Sequence, residues 1–384
     1  MLVEPGWPEA RVEAHSAGHR LPTVQMALSD ALGAATAEPI RARTPLPPLD
    51  VSSMDGWVVS GDPPWRVVGE ILAGHGRRAP LAPGQACTIA TGAAIPTGSL
   101  GVLRREDGVL DAGGRVLGSV VPGQDVRLAG EEARAGDVLI DSGTVVGPAH
   151  VGLAAAGGHD RLLMVRRPRA RVLVFGDELL HEGPARDGRI RDSLGPQLPA
   201  WLVRLGVDVV GWQWVADGLE AHVAAVASCH DVDLVVSSGG TAAGPVDHLR
   251  AAVSATGGQV AIDTVACRPG HPMLLAGWDG RWLVGLPGNP QAAVVALLTL
   301  GQPLCAALQG RRLPALGSVL MTEDVRTHGR TTRLIPCVTA GEHATPTPHI
   351  GSGMLRGLAA AEGFAIIPPG GCIAGDRVAW LALP

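Results

Sequence analysis

The sequence contains no lysine and no tyrosine, and only two of its 384 residues are phenylalanine. The 31 residues with a permanent positive charge are therefore all arginine, whose guanidinium presents a rigid fork of donors to an oxyanion. The absence of lysine excludes a lysine Schiff base and a lysine-containing P-loop. With a formal net charge of -5 and no basic stripe, the chain also lacks the usual features of a nucleic-acid-binding protein.

Cysteine is also scarce, and its six copies are scattered without a C-x-x-C pair. This spacing predicts buried, reduced thiols rather than disulfides. The stretch from Met1 to Arg20 lacks the apolar segment of a signal peptide, and no run of about 20 apolar residues follows it. Together these absences predict a cytoplasmic protein that binds neither a membrane nor nucleic acid.

Glycine and proline are abundant, with 53 and 31 copies, and hydrophobic residues make up 46% of the chain. The excess predicts many short elements joined by tight turns, and the length predicts two to four domains. Apolar spacing predicts an amphipathic helix within 21–39 and another helix from Pro148 to about Ala156. Between the two, a mostly β domain is predicted as an insertion. Its strand-like runs are 57–60, 65–72, 86–90 and 101–104.

Beyond Arg169, short β-rich runs alternate with helical patterns, which predicts a parallel sheet with helices on both faces. The runs are 171–175, 207–215, 233–237 and 282–286, and the helical patterns are 193–205, 217–228, 245–256 and 290–308. In such sheets, ligands bind beyond the carboxyl ends of the strands. A separate C-terminal β domain is predicted from strand-like runs at 318–325, 333–338, 364–367 and 377–383.

Polar turns follow the predicted strands of this sheet. Asp177 and Glu178 come after the first and are able to hold a divalent cation, or simply to cap a helix. A glycine-rich turn, 238–244, precedes a helix containing Asp247; its amides suit an oxyanion, or the turn is purely structural. The segment 287–290 (P-G-N-P) is a third turn at the same edge, or only a tight connection.

Three more segments carry polar groups at turns. Arg268 and His271 are two potential cations three residues apart on a proline-stiffened backbone, which suits an anion, although a surface turn is an equal alternative. Asp55 and Thr91 lie in two polar turns of the β domain, each of which is more simply an Asx or Ser/Thr turn. The histidine spacing does not match a zinc site.

The order of these motifs resembles that of the molybdopterin molybdenumtransferase family, the MoeA-type enzymes also found as the C-terminal part of gephyrin. The motifs are S-x-M-D-G, T-G-A-x-x-P, G-D-E-L, S-G-G, P-G-x-P and P-G-N-P, and the likeness runs from about Leu21 to Leu383. The resemblance implies an α/β protein of four domains with a central parallel sheet. The domains are a discontinuous N-terminal domain (20–45 and 133–166), the inserted β domain (46–132), a central molybdopterin-binding domain (167–310) and a small C-terminal β-barrel (311–384).

The resemblance further implies an enzyme that inserts molybdenum from molybdate into adenylylated molybdopterin and releases AMP with the help of Mg²⁺. It implies a homodimer with a shared cleft, a molybdopterin adenylyltransferase as a partner, and molybdenum enzymes as acceptors of the cofactor.

Carried over motif by motif, the resemblance assigns a role to each site residue. Asp55 and Thr91 face the cleft of the partner subunit, and Arg268 and His271 stand where the family has a lysine pair. In the last domain, Ser352 and one of Arg330 or Arg333 approach the oxyanion. The pterin, nucleotide and metal side is lined by Asp177, Glu178, Asp217 and Asp247, with Asp177, Glu178 and Asp247 as metal ligands. The other binding residues are Ser238, Gly239, Gly240, Pro287, Gly288 and Asn289.

The chain departs from the family pattern at several of these motifs. Hydroxyl, amide or charged groups usual in the family are replaced, so that several anion donors are missing. A second interpretation therefore stays open, in which the protein is a catalytically impaired paralogue that keeps the dimer and the pterin cleft as a carrier, scaffold or partner-binding protein. The substituted positions are Leu100, Phe175, Leu194, Thr241, Ala242, Pro245, Arg268, His271 and Ala292.

Overall fold

The computed structural model describes residues 1–74, 79–242, 247–327 and 329–384. The chain forms two compact units. The larger contains residues 1–24, 33–37 and 164–384, and the smaller contains 25–32 and 38–163. Four positions of the predicted glycine-rich turn and its helix, Ala243, Gly244, Pro245 and Val246, lie outside the described residues.

The larger unit is built on a seven-stranded sheet. Four strands are parallel neighbours and confirm the predicted α/β class: Arg281–Leu286, Leu234–Ser238, Arg169–Phe175 and Asp208–Val215. The sheet is nevertheless mixed, because Leu274–Trp278 runs antiparallel to Arg281–Leu286. The two-residue turn Asp279-Gly280 joins this hairpin, and Gly280 has a φ of +76°, which glycine adopts without a steric penalty. The strands Gln259–Asp263 and Leu2–Val3 complete the edge.

Helices cover both faces of this sheet, as predicted. Val172 and Val174 face one apolar cluster, whereas Leu173 and Phe175 face the other, because side chains alternate along a strand. The stretch Pro290–Leu308 is long and apolar enough to cross a membrane, but 94% of its apolar window is buried inside the fold, which is typical of a core helix. The helices are Leu194–Arg204, Leu219–Ser228, Leu249–Ala255, Pro290–Ala296 and Gln302–Leu308, the last two joined by the π-helical turn Leu297–Gly301.

The predicted helix within 21–39 is wrong. This segment forms two strands, Thr23–Ala27 and Ala35–Thr36, which flank Arg161–Val165 in a three-stranded sheet. Strand pairing therefore outweighs the helical spacing of a short segment that also contains Gly33 at φ +78°.

The first helix is instead Trp7–Ala17, inside the stretch Met1 to Arg20 for which the sequence predicted no helix. Its buried face includes Arg11, which donates to the carbonyls of Leu298 and Pro314. This arginine interrupts the apolar period of the helix, so the sequence pattern did not reveal it. Burial lowers the pKa of Arg11 to about 10.

The smaller unit contains the predicted β domain, whose four predicted strands are confirmed. They form a six-stranded sheet in the order Val109–Leu110, Arg115–Leu117, Trp65–Ile71, Gln85–Ile89, Gly56–Val59 and Gly101–Arg104. The predicted helix Pro148–Ala156 is also present. Two short strand pairs accompany them, Val51–Ser52 with Val126–Arg127 and Ile40–Arg41 with Val138–Ile140.

The C-terminal segment forms the predicted β-barrel. Its five strands close because Thr332–Ala340 pairs with Gly363–Ile367 as well as with His343–Pro346. A short strand from the central part of the chain, Cys267–Arg268, extends this barrel in parallel. All six cysteines are free, as predicted. The remaining elements are Gly317–Met321 and Arg377–Ala382 of the barrel, the helix Arg356–Ala360, and the strand pair Leu179–Leu180 with Ile190–Arg191.

Candidate functional site

A pocket of about 510 Å³ in the larger unit collects most of the predicted anion-binding residues. We call it the oxyanion pocket. The turn after Cys267–Arg268, the start of the helix Pro290–Ala296 and two segments of the barrel form its walls. Its polar lining comprises Arg268, His271, Asn289, Arg326, Thr327, Thr331, Arg333 and Ser352.

Two arginines stand side by side in this pocket. The parallel pairing of Cys267–Arg268 with Thr332–Ala340 sets Arg268 directly beside Arg333. Paired strands lie about 4.8 Å apart, and like charges at paired positions repel each other. Such a pair is stabilised when an anion lies against both guanidinium groups. The register therefore places two permanent positive charges side by side in the pocket, an arrangement whose chemistry suits a compact, doubly charged oxyanion.

The structure distinguishes between the two arginines that the sequence left as alternatives. Arg333 lines the pocket and donates to the carbonyl of Arg326 at 3.0 Å. Arg330 is exposed and is absent from the described lining. Of the two alternatives, Arg333 is therefore the one whose position is compatible with the predicted oxyanion role, which stays a prediction.

Backbone hydrogen bonds join the loop that carries Ser352 to the P-G-N-P turn. The amides of Gln291 and Ala292 donate to the carbonyl of Ser352 at 2.9 and 3.2 Å. These are helix N-terminal donors with no partner inside the helix. Gln291 also donates through its side chain to the carbonyl of Ile350 at 3.1 Å. The Ser352 loop is thus held against the start of the helix by three bonds.

Gly270 sets the distance between the R-P-G-H-P turn and the same helix. Its φ is +101°, and a Cβ there would lie 3.2 Å from the carbonyl oxygen of Ala292. Only glycine allows this conformation together with so close an approach. On the far side of the turn, His271 Nε2 lies 3.1 Å from Glu4 Oε1.

A second polar region follows the carboxyl ends of the parallel strands. The amide of Asp177 donates to Asp217 Oδ2 at 3.3 Å, and the amide of Asp217 donates to Asp177 Oδ1 at 3.2 Å. Two carboxylates are thereby held together after Arg169–Phe175 and Asp208–Val215. The helix-cap alternative for Asp177 and Glu178 is wrong, because the next helix begins only at Leu194.

The other predicted metal ligands lie in different local arrangements. Glu178 folds over Gly176, where a Cβ would lie 2.5 Å from Glu178 Oε2. Asp247 accepts the amide of Ala242 at 3.2 Å and precedes the helix Leu249–Ala255 instead of lying within it. In the described part of the chain, no three His, Cys, Asp or Glu side chains form a cluster arranged to hold a metal ion. The metal set Asp177, Glu178 and Asp247 stays a prediction.

The backbone conformation of the glycine-rich turn favours glycine at two positions. Gly239 and Gly240 both have positive φ, +84° and +69°, and the amide of Gly239 donates to the carbonyl of Leu286 at 2.9 Å. Arg250 donates to the carbonyl of Thr241 at 2.6 Å, which holds the end of the described turn. The amide of Gly239 is therefore committed to the fold, and the preceding Ser238 is buried.

Beneath this turn lies a buried histidine. The ring of His222 stacks on Phe175 with centroids 3.9 Å apart, and a Cβ on Gly240 would lie 3.3 Å from its Cε1. Neither ring nitrogen of His222 has a hydrogen-bond partner in the described part of the structure. Burial, with a smaller contribution from His248, lowers the pKa of His222.

We expect this histidine to destabilise the protein in acid. The folded-state pKa of His222 is below its unfolded value near 6.5, so the unfolded chain takes up the proton first as the pH falls. The stability that comes from keeping His222 neutral is fully present above about pH 6.5, and it is lost as the pH falls towards the folded-state pKa. Urea unfolding at pH 7.5 and 5.5 should therefore show a smaller acid loss for His222→Phe than for the natural protein. His230→Phe, at an exposed position, is the control; equal losses in all three proteins would contradict the prediction.

In the smaller unit, the structure brings together the two residues predicted there. Asp55 Oδ1 accepts the amide and the hydroxyl of Thr91 at 2.7 and 2.8 Å. These bonds, the amide bond first, hold the pKa of Asp55 below its ordinary value, so the exposed carboxylate stays ionised. Ser52 of the same motif is buried and donates to the carbonyl of Met54, which is a structural role.

Sequence reasoning missed four residues around the oxyanion pocket. Arg326, Thr327 and Thr331 line it from the barrel, and Glu4 contacts it through His271. None belongs to a motif with a ligand-binding spacing. The arginine content of the segment 326–333 was the one available signal, since three arginines occur there.

Three family models match the chain in the order in which its motifs occur. The MoeA N-terminal region (domain I and II) matches residues 8–158, a probable molybdopterin binding domain matches 171–307, and the MoeA C-terminal region (domain IV) matches 318–383. All the candidate site residues described above, Glu4 excepted, fall within these matches.

Curated relatives and solved structures agree with these matches. The molybdopterin molybdenumtransferase of Haemophilus influenzae is 32% identical over 299 residues, which cover 76% of this chain and 74% of that protein. That of Staphylococcus aureus is 28% identical over 371 residues, 91% of this chain and 88% of the relative. The crystal structure of a molybdopterin biosynthesis MoeA protein from Pyrococcus horikoshii superposes with a TM-score of 0.82 at 25% identity, over 99% of both chains.

Proposed function

Because this chain belongs to the molybdopterin molybdenumtransferase family, we propose that it transfers molybdenum from molybdate to adenylylated molybdopterin and releases AMP. The observation that carries this proposal is the pairing of Arg268 with Arg333 in the oxyanion pocket. Molybdate is a tetrahedral dianion, and two adjacent guanidinium groups match both its charge and its oxygen spacing.

The chain's own residues bind and orient the oxyanion in this proposal. Arg268 and Arg333 donate to molybdate oxygens, Ser352 donates from the loop anchored on Gln291, and His271 adds a positive charge when it is protonated. Arg326 raises the local positive potential further. Holding the oxyanion in one orientation favours attack by the two dithiolene thiols of the pterin substrate, which form two Mo–S bonds while one oxide leaves with the two thiol protons as water.

The carboxylate pair suits the nucleotide side of the reaction. Asp177 and Asp217 provide two oxygen donors, and Mg²⁺ in proteins is commonly held by one or two carboxylates together with substrate phosphates. The residues therefore fit the ion, which would neutralise charge on the departing AMP. Glu178 and Asp247 are further carboxylates of this region, and Ser238, Gly240, Pro287, Gly288 and Asn289 are proposed to contact the pterin or nucleotide.

We further propose a cytoplasmic homodimer in which Asp55 and Thr91 complete the cleft of the partner subunit. Two observations support this. The carboxylate of Asp55 is exposed and is held ionised by its bonds from Thr91, which leaves a fixed negative charge at the surface. The six free cysteines suit a reducing compartment. A molybdopterin adenylyltransferase would supply the substrate, and molybdenum enzymes would accept the product.

The test is AMP release from adenylylated molybdopterin by the purified chain with molybdate and Mg²⁺. We expect release that depends on molybdate and is lost when molybdate is omitted. Tight pterin binding without molybdate-dependent AMP release would reject the transferase and support the carrier or scaffold alternative.

Asp177→Asn and Asp217→Asn should each lower the rate of Mg²⁺-dependent AMP release by roughly tenfold or more, which corresponds to a rise of about 1.4 kcal/mol in the activation barrier. An asparagine oxygen still accepts the neighbouring amide, so only the charge is removed. The melting temperature should stay unchanged or rise, because two like charges no longer repel. Asp187→Asn, at an exposed position, is the matched control. Parallel losses of stability and activity would instead assign the pair a structural role.

A further inference from the structure

The oxyanion pocket has a negative charge at its edge. Glu4 Oε1 lies 3.1 Å from Nε2 of His271, and the two side chains are 54% and 38% exposed. His271 lines the pocket, whereas Glu4 is not among its lining residues and reaches it through His271. A carboxylate beside a site rich in arginine opposes the binding of an anion.

The backbone holds Glu4 in this place. The strand Leu2–Val3 pairs in parallel with Ile262 and Asp263, and the amide of Glu4 donates to the carbonyl of Asp263 at 2.9 Å. Glu4 has a φ of +49°, a left-handed conformation that is uncommon for residues other than glycine. The surrounding bonds must therefore impose it.

The residues after Glu4 anchor the segment at its other end. The carbonyl of Pro5 accepts the amide of Ala266 at 2.9 Å. Trp7 is fully buried and donates to the hydroxyl of Thr299 at 2.9 Å. The partner of Glu4 is also fixed, because the carbonyl of His271 accepts the amides of Val265 and Met273. Both side chains of the pair thus extend from rigid backbone.

We infer that Glu4 sets the oxyanion affinity of the pocket by competing with the bound anion for His271. The inference rests on the proposed oxyanion site. With Glu4 ionised, the pair carries no net charge when His271 is protonated and one negative charge when it is not. Replacing Glu4 by glutamine raises the net charge of the pair by one, whether His271 is protonated or neutral. The arginines that face the same pocket, Arg268, Arg326 and Arg333, keep their charge throughout.

This arrangement has a functional reason in the proposed reaction. Once molybdenum is bonded to the dithiolene it has to leave the pocket with the pterin product, and three arginines without a counter-charge would retain its remaining oxyanion charge. The carboxylate of Glu4 weakens the hold of the arginines on the anion and leaves the positions of their donor groups unchanged.

The experiment measures the dissociation constant of molybdate for the full chain by equilibrium dialysis at low and high salt. Glu4→Gln should bind molybdate roughly three- to tenfold more tightly at low ionic strength, and the gain should shrink as salt screens the charge. Glu9→Gln is the matched control, since it removes the same charge from an exposed residue of the same N-terminal segment that is outside the pocket lining. It should bind like the natural protein. In a His271→Ala background, the gain from Glu4→Gln should be smaller.

A gain in molybdate affinity would distinguish the proposed role of Glu4 from a purely structural role, because disruption of the N-terminal segment would weaken molybdate binding. Unchanged or weaker binding in Glu4→Gln, while the natural protein binds molybdate and Arg333→Gln does not, would overturn the inference alone. Absence of binding by the natural protein would overturn the proposed oxyanion site together with it.

Discussion

Arg333→Gln and Arg268→Gln are each expected to weaken molybdate binding by roughly 10- to 100-fold. A hydrogen bond to a charged group contributes about 1.5 to 3 kcal/mol, and each 1.4 kcal/mol is tenfold in affinity. Glutamine preserves part of the side-chain length but removes the charge and the fork of donors. Because the two arginines occupy paired strand positions, each substitution also removes one member of a repelling pair. The melting temperature should therefore stay the same or rise while affinity falls.

The chain offers a closely matched control for this experiment. Arg330 lies three residues before Arg333, is exposed, and does not line the described pocket. Arg330→Gln removes the same charge from the same segment and should leave molybdate affinity within about twofold, since exposed charges are screened by salt. Equilibrium dialysis and differential scanning fluorimetry provide the two readouts. Equal loss in all three variants would show that the pocket attracts molybdate only by its overall charge, against the paired-arginine site.

Gly56→Ala is expected to destabilise the smaller unit by about 3 kcal/mol or more, the upper range for overpacking of a core. A Cβ at Gly56 would lie 2.0 Å from the carbonyl oxygen of Leu103 and 3.0 Å from the Cα of Arg104. These are backbone atoms of the neighbouring strand, so relief requires the strands Gly56–Val59 and Gly101–Arg104 to separate. Since domains are stable by only about 5 to 15 kcal/mol, the loss is a large fraction of the total.

The readout should be local, because the chain has two compact units. Amide hydrogen exchange in 56–59 and 101–104 should accelerate strongly in Gly56→Ala. Gly152→Ala is the control: Gly152 lies in the helix Pro148–Ala156 with no atom within 4 Å of a Cβ. That change should be neutral or stabilise by up to about 1 kcal/mol, because glycine is a poor helix former. Exchange rates that do not differ between the two variants would contradict the proposed strand contact.

The glycine of the S-x-M-D-G motif thus has a physical role that the motif did not reveal. Its Cα lies against a strand that follows about 45 residues later in the chain, and no local rule predicts that contact. The neighbouring Asp55 differs, because its carboxylate is exposed and accepts hydrogen bonds from the amide and hydroxyl of Thr91.

The sequence by itself determined the α/β class, the inserted β domain and a separate C-terminal β domain, whereas closure of that domain into a barrel was implied only by the family resemblance. Apolar runs such as 171–175 and 233–237 are local signals, and their alternation with helical patterns is sufficient to predict a covered sheet. The same reasoning failed for residues 21–39, where pairing with the strand Arg161–Val165 outweighs local spacing, and for Trp7–Ala17, where Arg11 is buried by contacts with distant carbonyls.

The tertiary structure alone decided which predicted residues meet. Arg333 rather than Arg330 enters the oxyanion pocket because the register of Cys267–Arg268 against the barrel places it beside Arg268. Asp177 is joined to Asp217, which is 40 residues away in the chain, because their strands are neighbours in the sheet. Glu4 reaches His271 only through the pairing of the N-terminal strand. Pairing between distant strands depends on the global arrangement of the sheet, which local periodicity does not encode.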